Sequence, residues 1–443
     1  MRSALSASLV ALTFACSSGA LVSPSNGQEA GAADADVDGT VGDDAGNAGD
    51  TGPDVTSKPD ASTCTGTLAM CGGRCVDTSS DSSNCSACGR ACTNGKTCQS
   101  SQCACPAGTW LCNGSCAPLS DPCQLASGMP APWGIAVDNL NVYWTNVGPS
   151  SMTTQVADGS VYAVPIAGGS PLPIATSQAG PLDIATDGTN VYWANAGTAA
   201  ATFADGSVAK APVGGGTVVP LAQAQKAPQG IAVGGASVFW TSRGTAPNFT
   251  DGLVQQVGIN GGTPVVLNAA GQYSPTSVAL GTANVYCFWA SAGTAAMNYA
   301  DGLIMWATAG QAATAMVLAS PQVWPINIAV DSVNAYWTTL GTDPNNHTDG
   351  AVYRRPLQGT TPSAIATNQL RPFGIAVDSM NVYWTSQGSA PNYADGAIWR
   401  APIAGGAPVA LATNRARPRS IAVDGSAVYW VESVGGGVWK LAK

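Results

Sequence analysis

The stretch PWGIAVDNLNVYWT, residues 132–145, contains the pattern that decides the fold. A short apolar run ends at Asp138, and after a tight turn a second run of β-branched and aromatic residues follows, Val142 to Thr145. Two such runs joined by a few turn residues predict a β-hairpin. A long loop ending in Asp158-Gly159, a third run, a Gly-Gly turn and a fourth run complete a unit of four short strands.

This unit occurs seven times, at intervals of 46 to 50 residues. Its copies open at Pro132, Pro181, Pro228, Pro275, Pro325, Pro372 and Pro418. Four strands per repeat of this length are typical of a β-propeller, in which each repeat forms one blade. The last copy has three strands, and Cys123 to Ser127 matches the missing fourth. We therefore expect an all-β, seven-bladed propeller over residues 124–443, closed by this N-terminal strand lying beside Val438 to Leu441.

The VYWT and GIAVD signatures of the repeat resemble those of YWTD-type and NHL-type propellers. YWTD propellers usually have six blades, so the seven copies here differ from that family. The resemblance implies the propeller fold. It implies no ligand, because propellers carry many unrelated activities.

Three features of the repeat have a structural interpretation. The Tyr-Trp pairs of the second strand are expected to pack between blades. The aspartates that end the first strand are expected to cap its turn by accepting backbone N–H bonds; they are Asp138, Asp187, Asp331, Asp378 and Asp424. Cys287 is one residue more than the pattern requires, which predicts a β-bulge and a buried free thiol.

Residues 1–16 have the pattern of a bacterial export signal. Arg2 precedes an apolar stretch, Ala4 to Ala15, that is too short to cross a bilayer. Thr13-Phe14-Ala15-Cys16 resembles the lipobox of bacterial lipoproteins, with Thr13 at the position of the family's usual leucine. The resemblance implies a lipid on Cys16. Ordinary secretion, with cleavage near residues 18–20, is the alternative.

Residues 17–63 consist mainly of Gly, Ala, Asp, Ser and Thr, with nine acidic residues and one lysine. Such a segment buries too little apolar area to offset its ordering entropy and is expected to be a disordered linker. The net charge of −9 argues against nucleic acid as a partner, since that requires a Lys/Arg surface. The single histidine, His347, argues against His-based triads and multi-His metal sites.

Twelve of the 14 cysteines fall within residues 64–123. They are Cys64, Cys71, Cys75, Cys85, Cys88, Cys92, Cys98, Cys103, Cys105, Cys112, Cys116 and Cys123. An even count in an exported chain predicts a disulfide module, whose pairing the spacing does not reveal. The Cys85-x2-Cys88 spacing leaves zinc as an alternative. The stretch from Cys71 to Cys98 resembles the stigma-specific cysteine-rich family, also found as modules in bacterial surface proteins, which implies no catalytic chemistry.

The long loops and the loops between blades share one face of a propeller, where ligands are expected. Each long loop has an apolar or aromatic residue, or the histidine, two positions before an aspartate: Val156/Asp158, Phe203/Asp205, Phe249/Asp251, Tyr299/Asp301, His347/Asp349 and Tyr393/Asp395. This ring could stack on sugars or coordinate Ca²⁺. The alternative is structural: the aromatic residue anchors the loop and the aspartate bonds backbone amides. His347 replaces an aromatic residue, so a catalytic role is not expected.

The inner strands begin at the mouth of the central channel, which is a second candidate site. Among the residues two positions after the repeat prolines, Asp183 and Asn327 offer oxygen ligands from roughly opposite blades. Propeller lactonases of the regucalcin type and streptogramin-type lyases hold a divalent metal there, and those lyases also use a histidine. Likeness to them implies a cation at Asp183 and Asn327. Variable polar filler is the alternative.

A third candidate is the positive charge of the last two blades. Arg371, Arg415, Arg417 and Arg419 lie where the loops lead into blades six and seven. Arginines on a binding face hold carboxylates, sulfates or phosphates through bidentate contacts. Solvated surface charge is the alternative.

The preferred interpretation is a cell-surface, lipid-anchored, monomeric protein that binds a protein or glycan on its long-loop face without catalysis. The first alternative is a metal-dependent lactonase or lyase at the channel mouth. The second is a structural protein of the envelope. No cofactor is predicted apart from a divalent cation such as calcium in the enzymatic alternative.

Overall fold

The computed structural model describes residues 64, 68–148 and 157–443, apart from residues 247, 269–271, 282–283, 313–314, 344–345 and 360. The predicted export signal, Cys16, the acidic linker and Val156 lie outside the described residues. The described part is all-β, with two short 3-10 helices, Ala199–Ala201 and Ala295–Met297. None of its helices is long and apolar enough to span a bilayer.

The cysteine-rich module consists of three small hairpins. Their strands are β1 (Ala69–Cys71) with β2 (Arg74–Val76), β3 (Thr97–Gln99) with β4 (Gln102–Ala104), and β5 (Thr109–Cys112) with β6 (Ser115–Pro118). Strand β7 (Cys123–Ala126) follows and belongs to the propeller.

The propeller has seven four-stranded antiparallel blades, as predicted. Blades 1 and 2 contain β8 (Pro132–Val137), β9 (Asn141–Asn146), β10 (Gly159–Pro165) and β11 (Leu172–Gln178), then β12 (Pro181–Thr186), β13 (Asn190–Asn195), β14 (Gly206–Pro212) and β15 (Val219–Gln225). Blades 3 and 4 contain β16 (Pro228–Gly234), β17 (Ser237–Ser242), β18 (Leu253–Gly258) and β19 (Val265–Val266), then β20 (Pro275–Leu280), β21 (Tyr286–Ser291), β22 (Gly302–Thr308) and β23 (Met316–Gln322). Blades 5 and 6 contain β24 (Pro325–Val330), β25 (Asn334–Thr339), β26 (Gly350–Pro356) and β27 (Ser363–Gln369), then β28 (Pro372–Val377), β29 (Asn381–Ser386), β30 (Gly396–Pro402) and β31 (Val409–Arg415).

Blade 7 closes the ring with a strand from the other end of the domain. It contains β32 (Pro418–Val423), β33 (Ala427–Glu432) and β34 (Gly437–Ala442), and β7 is its outer strand. Val438 pairs with Ala126, and Trp439 pairs with Gln124. The predicted closure is confirmed, and it removes the open edge that a three-stranded last blade would expose.

The aromatic pair of each second strand packs between blades, as predicted. In every interblade core, the Tyr or Phe of one blade lies with the Trp of the next; Tyr143 of blade 1, for example, packs with Trp193 of blade 2. The last core joins Tyr429 of blade 7 to Trp144 of blade 1. All seven tryptophans are fully buried. The ring is therefore held by one repeated contact.

The aspartates at the ends of the inner strands cap their turns, as predicted. Asp138 Oδ1 accepts the N–H groups of Leu140 and Asn141, both at 2.8 Å. Its Oδ2 accepts the Tyr143 hydroxyl at 2.7 Å, a bond that recurs for the other four aspartates. Each aspartate therefore joins a turn to the buried aromatic pair.

The bulge predicted at Cys287 is wrong, because the extra residues lie in the preceding turn. Cys287 pairs in register with Leu280 on one side and Ala307 on the other, in the place that Val142 takes in blade 1. Tyr286 is 42% exposed. The predicted buried free thiol is confirmed, and burial raises its pKa.

All twelve cysteines of the module form disulfides. The pairs are Cys64–Cys75, Cys71–Cys88, Cys85–Cys98, Cys92–Cys103, Cys105–Cys116 and Cys112–Cys123. Cys85 and Cys88 belong to different disulfides, which removes the zinc alternative. The two copies of the repeated spacing pair in the same way. Six disulfides are typical of an exported protein.

The module is joined covalently to the strand that closes the propeller. Cys123 is the first residue of β7, is 1% exposed, and is bonded to Cys112 of β5. Beside this bond, Lys440 Nζ lies 4.5 Å from the centre of the Trp110 ring. It donates to the carbonyls of Leu111 and Ile166 at 2.8 and 2.6 Å. Burial lowers the pKa of Lys440 to about 8.

We predict that removing the Cys112–Cys123 disulfide destabilises the propeller, whereas removing Cys64–Cys75 does not. Both bonds join residues 11 positions apart, so their effects on chain entropy are matched. The double variant Cys112→Ser/Cys123→Ser should lose about 2–4 kcal/mol, measured by denaturant unfolding followed through tryptophan fluorescence. Equal losses from Cys64→Ser/Cys75→Ser would show that the bond does not secure the closing strand.

Candidate functional site

The aspartates of the long loops hold their own loops closed. In each of five loops, one carboxylate oxygen of the aspartate accepts the backbone N–H of a Thr or Ser. The other oxygen accepts the hydroxyl of the same residue, and all these distances are 2.6 to 2.8 Å. The pairs are Asp205–Thr198, Asp251–Thr245, Asp301–Thr294, Asp349–Thr342 and Asp395–Ser389. This geometry follows the structural interpretation of the motif.

The aromatic residues of the same motif connect each long loop to the next blade. They have positive φ angles, and their carbonyls accept the N–H of the residue before the next repeat proline. The carbonyl acceptors are Phe203, Phe249, Tyr299, His347 and Tyr393. For example, the Arg417 N–H donates to the Tyr393 carbonyl at 2.9 Å. These five carbonyl bonds thereby set the position of the interblade residues at the channel mouth.

His347, which takes the aromatic position in its loop, is buried, with 4% of its surface exposed. Its Nδ1 lies 3.1 Å from the Gly341 carbonyl, and its Nε2 lies 2.6 Å from Asp343 Oδ1. Its ring meets Trp324 edge to face at 5.5 Å. These contacts give the histidine a structural position, and it is not among the residues that line the channel mouth.

A cavity of about 360 Å³ lies at the channel mouth, and equivalent positions of the repeat line it. All seven residues that follow the repeat prolines contribute: Trp133, Leu182, Gln229, Thr276, Ile326, Phe373 and Arg419. Three further kinds of position complete the wall: just before the proline, two after it, and just after the second strand. Examples are Ser274, Trp324, Arg371, Arg417, Asp183, Asn327, Arg243 and Gln387. These positions differ from blade to blade, so the wall is asymmetric although the fold is not.

Four arginines line this cavity, and we call them the mouth arginines: Arg243, Arg371, Arg417 and Arg419. The last three come from blades 6 and 7 and were singled out from the sequence. Arg243 comes from blade 3, across the ring, and was missed. The available signal was its position after the second strand, where the other six blades have uncharged residues.

Aromatic rings hold the guanidinium groups in place. Arg419 lies 3.9 Å from the centre of the Trp133 ring and 5.1 Å from that of Phe373, and is 7% exposed. Arg417 lies 4.2 Å from the Tyr393 ring, and Arg243 lies 4.1 Å from the Phe249 ring. Stacking on aromatic faces orders these side chains without neutralising them.

The backbone also positions Arg419 closely. Its carbonyl accepts the Thr385 hydroxyl at 2.6 Å. A Cβ at Gly374 would lie 2.5 Å from the same carbonyl oxygen, so only glycine allows the inner strand of blade 6 to approach. Burial, and next the charge of Arg417, lower the pKa of Arg419 to about 9.

In the part of the chain that the structure describes, the mouth arginines have no carboxylate partners. Within the described residues, ion pairs form at Lys226, His347, Arg415 and Lys443, and none forms at a mouth arginine. Three buried donors that line the mouth, Arg371 Nε, Arg417 Nε and Gln387 Nε2, have no hydrogen-bond partner among the described residues. A buried donor without a partner costs about 1–3 kcal/mol. An anion in the mouth would supply the missing acceptor and charge.

Arg415 serves a different purpose from the other predicted arginines. Its Nε lies 2.6 Å from Glu432 Oε1, and its guanidinium lies 4.1 Å from the Trp439 ring. At four other blade junctions a glutamine takes the place of Arg415, and its side-chain oxygen accepts the indole N–H of the tryptophan of the next blade. Arg415 thus joins blade 6 to blade 7 and does not line the mouth.

Asp183 and Asn327 both line the mouth, and each forms a hydrogen bond with a different backbone group. Asp183 Oδ2 accepts the Ile231 N–H at 3.0 Å, and Asn327 Nδ2 donates to the Phe373 carbonyl at 3.1 Å. Burial raises the pKa of Asp183 to about 6. Among the described lining residues Asp183 is the only acid, so a divalent ion there would face four guanidinium groups with one carboxylate.

We predict that Asp183→Asn stabilises the fold at neutral pH. The folded state raises the pKa of this carboxyl to about 6 from 3.8, so its ionisation above that pH disfavours folding, and the penalty vanishes near pH 4. The variant should gain about 1–3 kcal/mol at pH 7.5 and little at pH 4, measured by urea unfolding. The exposed Asp121→Asn is the control. A gain that is independent of pH would contradict this explanation.

No family model and no curated protein matches the chain. The solved structure of selenomethionine-substituted virginiamycin B lyase from Staphylococcus aureus is similar in fold, with a TM-score of 0.52 and 16% identity over 73% of this chain and 98% of that one. A catalytically inactive variant of that lyase, solved with quinupristin, gives the same values. A chain of a nidogen/laminin complex is 20% identical over 52% of this chain and 82% of that one, with a TM-score of 0.39, too low to support an inference. At this level of identity, the likeness shows the β-propeller fold alone.

Proposed function

We propose that the protein is an exported, lipid-anchored and non-catalytic binding protein that holds an anionic group of a cell-surface protein or glycan in its channel mouth. The observation that carries this proposal is the set of four mouth arginines, for which the described residues provide no carboxylate partner.

The charge and rigidity of the mouth support binding of an anion. Several like charges within one concave site focus the field and attract an oppositely charged group. Guanidinium groups bond carboxylates or sulfates in a bidentate manner, and such charge-assisted bonds are about twice as strong as neutral ones. Because Arg417 and Arg419 are already stacked on Tyr393, Trp133 and Phe373, little side-chain entropy remains to be lost on binding.

The lining residues favour binding over catalysis. A general base must reach the proton that it removes, and the only acid among the described lining residues is Asp183. His347, the single histidine of the chain, is buried against Gly341 and Asp343 instead. A cation-dependent lactonase or lyase would need more oxygen ligands than Asp183 and Asn327 provide, and the mouth arginines oppose a second positive charge.

Residues 1–123 support the proposed location. Six disulfides require an oxidising compartment. A lipid on Cys16 would anchor the protein, and residues 17–63, as a flexible spacer, would hold the module about 40 Å from the membrane. The acidic residues of this spacer and the anionic membrane surface would repel each other, which favours an extended spacer.

We predict that the mouth arginines, and not charge in general, bind acidic polymers. The full chain should bind immobilised polygalacturonate or polyglutamate at low salt, and Arg417→Ala should weaken binding about tenfold or more. Arg90→Ala removes the same charge from the exposed surface of the cysteine-rich module and should have little effect. Equal losses in the two variants, or no loss with Arg417→Ala, would contradict a site at the mouth. Biolayer interferometry at two salt concentrations measures both.

We predict that Cys16 is the mature N-terminus and carries a diacylglycerol. Mass spectrometry of the protein extracted from bacterial membranes should find the lipidated N-terminal peptide, and Cys16→Ser should lose both the lipid and the membrane fraction. A mature chain that begins within residues 18–21 would instead show ordinary secretion.

A further inference from the structure

We propose that the group bound in the mouth is an acidic sugar unit, a pyranose that carries a carboxylate on one edge and hydroxyl groups on the others. This inference rests on the proposed function and names the ligand of the same site. It follows from the chemical difference between two sides of the cavity.

The side formed by blades 6 and 7 is a donor surface. Arg371 and Arg417 both lie over the ring of Tyr393, at 5.6 and 4.2 Å, which brings their guanidinium groups to one place. Gln387 is 3% exposed, and its Nε2 has no hydrogen-bond partner among the described residues. A planar carboxylate accepts two parallel bonds from a guanidinium group and retains lone pairs for a neighbouring amide.

The opposite side of the ring offers an acceptor. Asp183 belongs to blade 2, and its carboxylate oxygens can accept about four hydrogen bonds. The N–H groups of Ile231 and Ile184 use part of this capacity. On blade 5, roughly opposite Asp183, the Nδ2 of Asn327 is used by the Phe373 carbonyl, so its Oδ1 is a further acceptor. A ligand group that contacts Asp183 must donate hydrogen bonds and must not bring a negative charge to that carboxylate. The neighbouring blade 3 contributes Arg243, whose Nε donates to Ser274 Oγ at 2.7 Å.

A hydroxylated sugar acid meets both conditions, and an acidic peptide meets only the first. The hydroxyl groups of a uronic acid donate to Asp183 while its carboxylate lies at the arginines. The neighbouring carboxylates of an acidic peptide would be repelled by Asp183. Trp133 and Trp324 also line the mouth, each supported by another side chain, Arg419 at 3.9 Å and Tyr299 at 4.0 Å. Such fixed apolar surfaces suit the C–H faces of a pyranose ring.

The size of the cavity agrees with one such unit. Its volume of about 360 Å³ is at the lower end of the range for small-molecule sites, about 300–1,000 Å³. We therefore expect the mouth to take one sugar acid at a time, at a chain end or on a branch of a polysaccharide.

The test compares three small probes on the full chain by calorimetry and NMR titration. Galacturonate has the carboxylate and the hydroxyls, cyclohexanecarboxylate has the carboxylate alone, and galactose has the hydroxyls alone. We expect galacturonate to bind about tenfold more tightly than either of the others. Arg417→Ala should weaken the binding of both galacturonate and cyclohexanecarboxylate.

Asp183→Asn provides the discriminating variant. It removes a negative charge, which favours both anions equally, so the measured quantity is the ratio of the dissociation constants of cyclohexanecarboxylate and galacturonate. We expect this ratio to fall at least about threefold, since a neutral acceptor bonds a hydroxyl more weakly than a carboxylate does.

Two results would overturn the inference that the ligand is a sugar acid and would leave the proposed function standing. One is equal binding of galacturonate and cyclohexanecarboxylate, and the other is tighter binding of pentaglutamate than of trigalacturonate. Failure of every carboxylate probe and of both acidic polymers to bind, with Arg417→Ala indistinguishable from the parent protein, would overturn the inference and the proposed function together.

Discussion

The contact between the tyrosine or phenylalanine of one blade and the fully buried tryptophan of the next is the interaction on which the whole molecule depends. It occurs seven times around the ring, and its last copy joins Tyr429 to Trp144. A single blade cannot bury its aromatic face, so the blades are stable only together. Closure therefore matters as much as packing, and β7, bonded through Cys123 to the cysteine-rich module, provides it.

This packing leads directly to a binding site. Every inner strand must begin near the ring axis, so the residues beside each repeat proline converge on one cavity. Their side chains lie outside the seven cores built on the aromatic contact, although Leu182 and Trp133 pack with Val147 and Ala196, and the fold leaves them free to differ. The repeat thus supplies a symmetric scaffold, and four of its positions supply an asymmetric wall of arginine, aromatic and polar side chains.

The composition of this wall is unfavourable for stability. Burial lowers the pKa of Arg419 and raises that of Asp183, so both charged forms are destabilised in the folded protein. Within the described residues, three buried donors of the mouth lack hydrogen-bond partners, as do nine buried side-chain atoms elsewhere. Arg415, by contrast, is paired with Glu432 between blades 6 and 7. Charged groups with shifted pKa values that gather in one concave site are typical of a site adapted to a ligand.

The sequence by itself determined the blade count, the closing strand, the turn-capping aspartates and the disulfide module, because each depends on local periodicity or on residue type. It placed Arg417 and Arg415 in one group, and it could not pair the cysteines, locate the extra residues beside Cys287, or find Arg243. Only the tertiary structure decided these, since they depend on which residues meet across blades that are distant in the chain. For the same physical reason Arg415 has a carboxylate partner, whereas the described residues provide none for Arg417 and Arg419, which follow it closely in the chain.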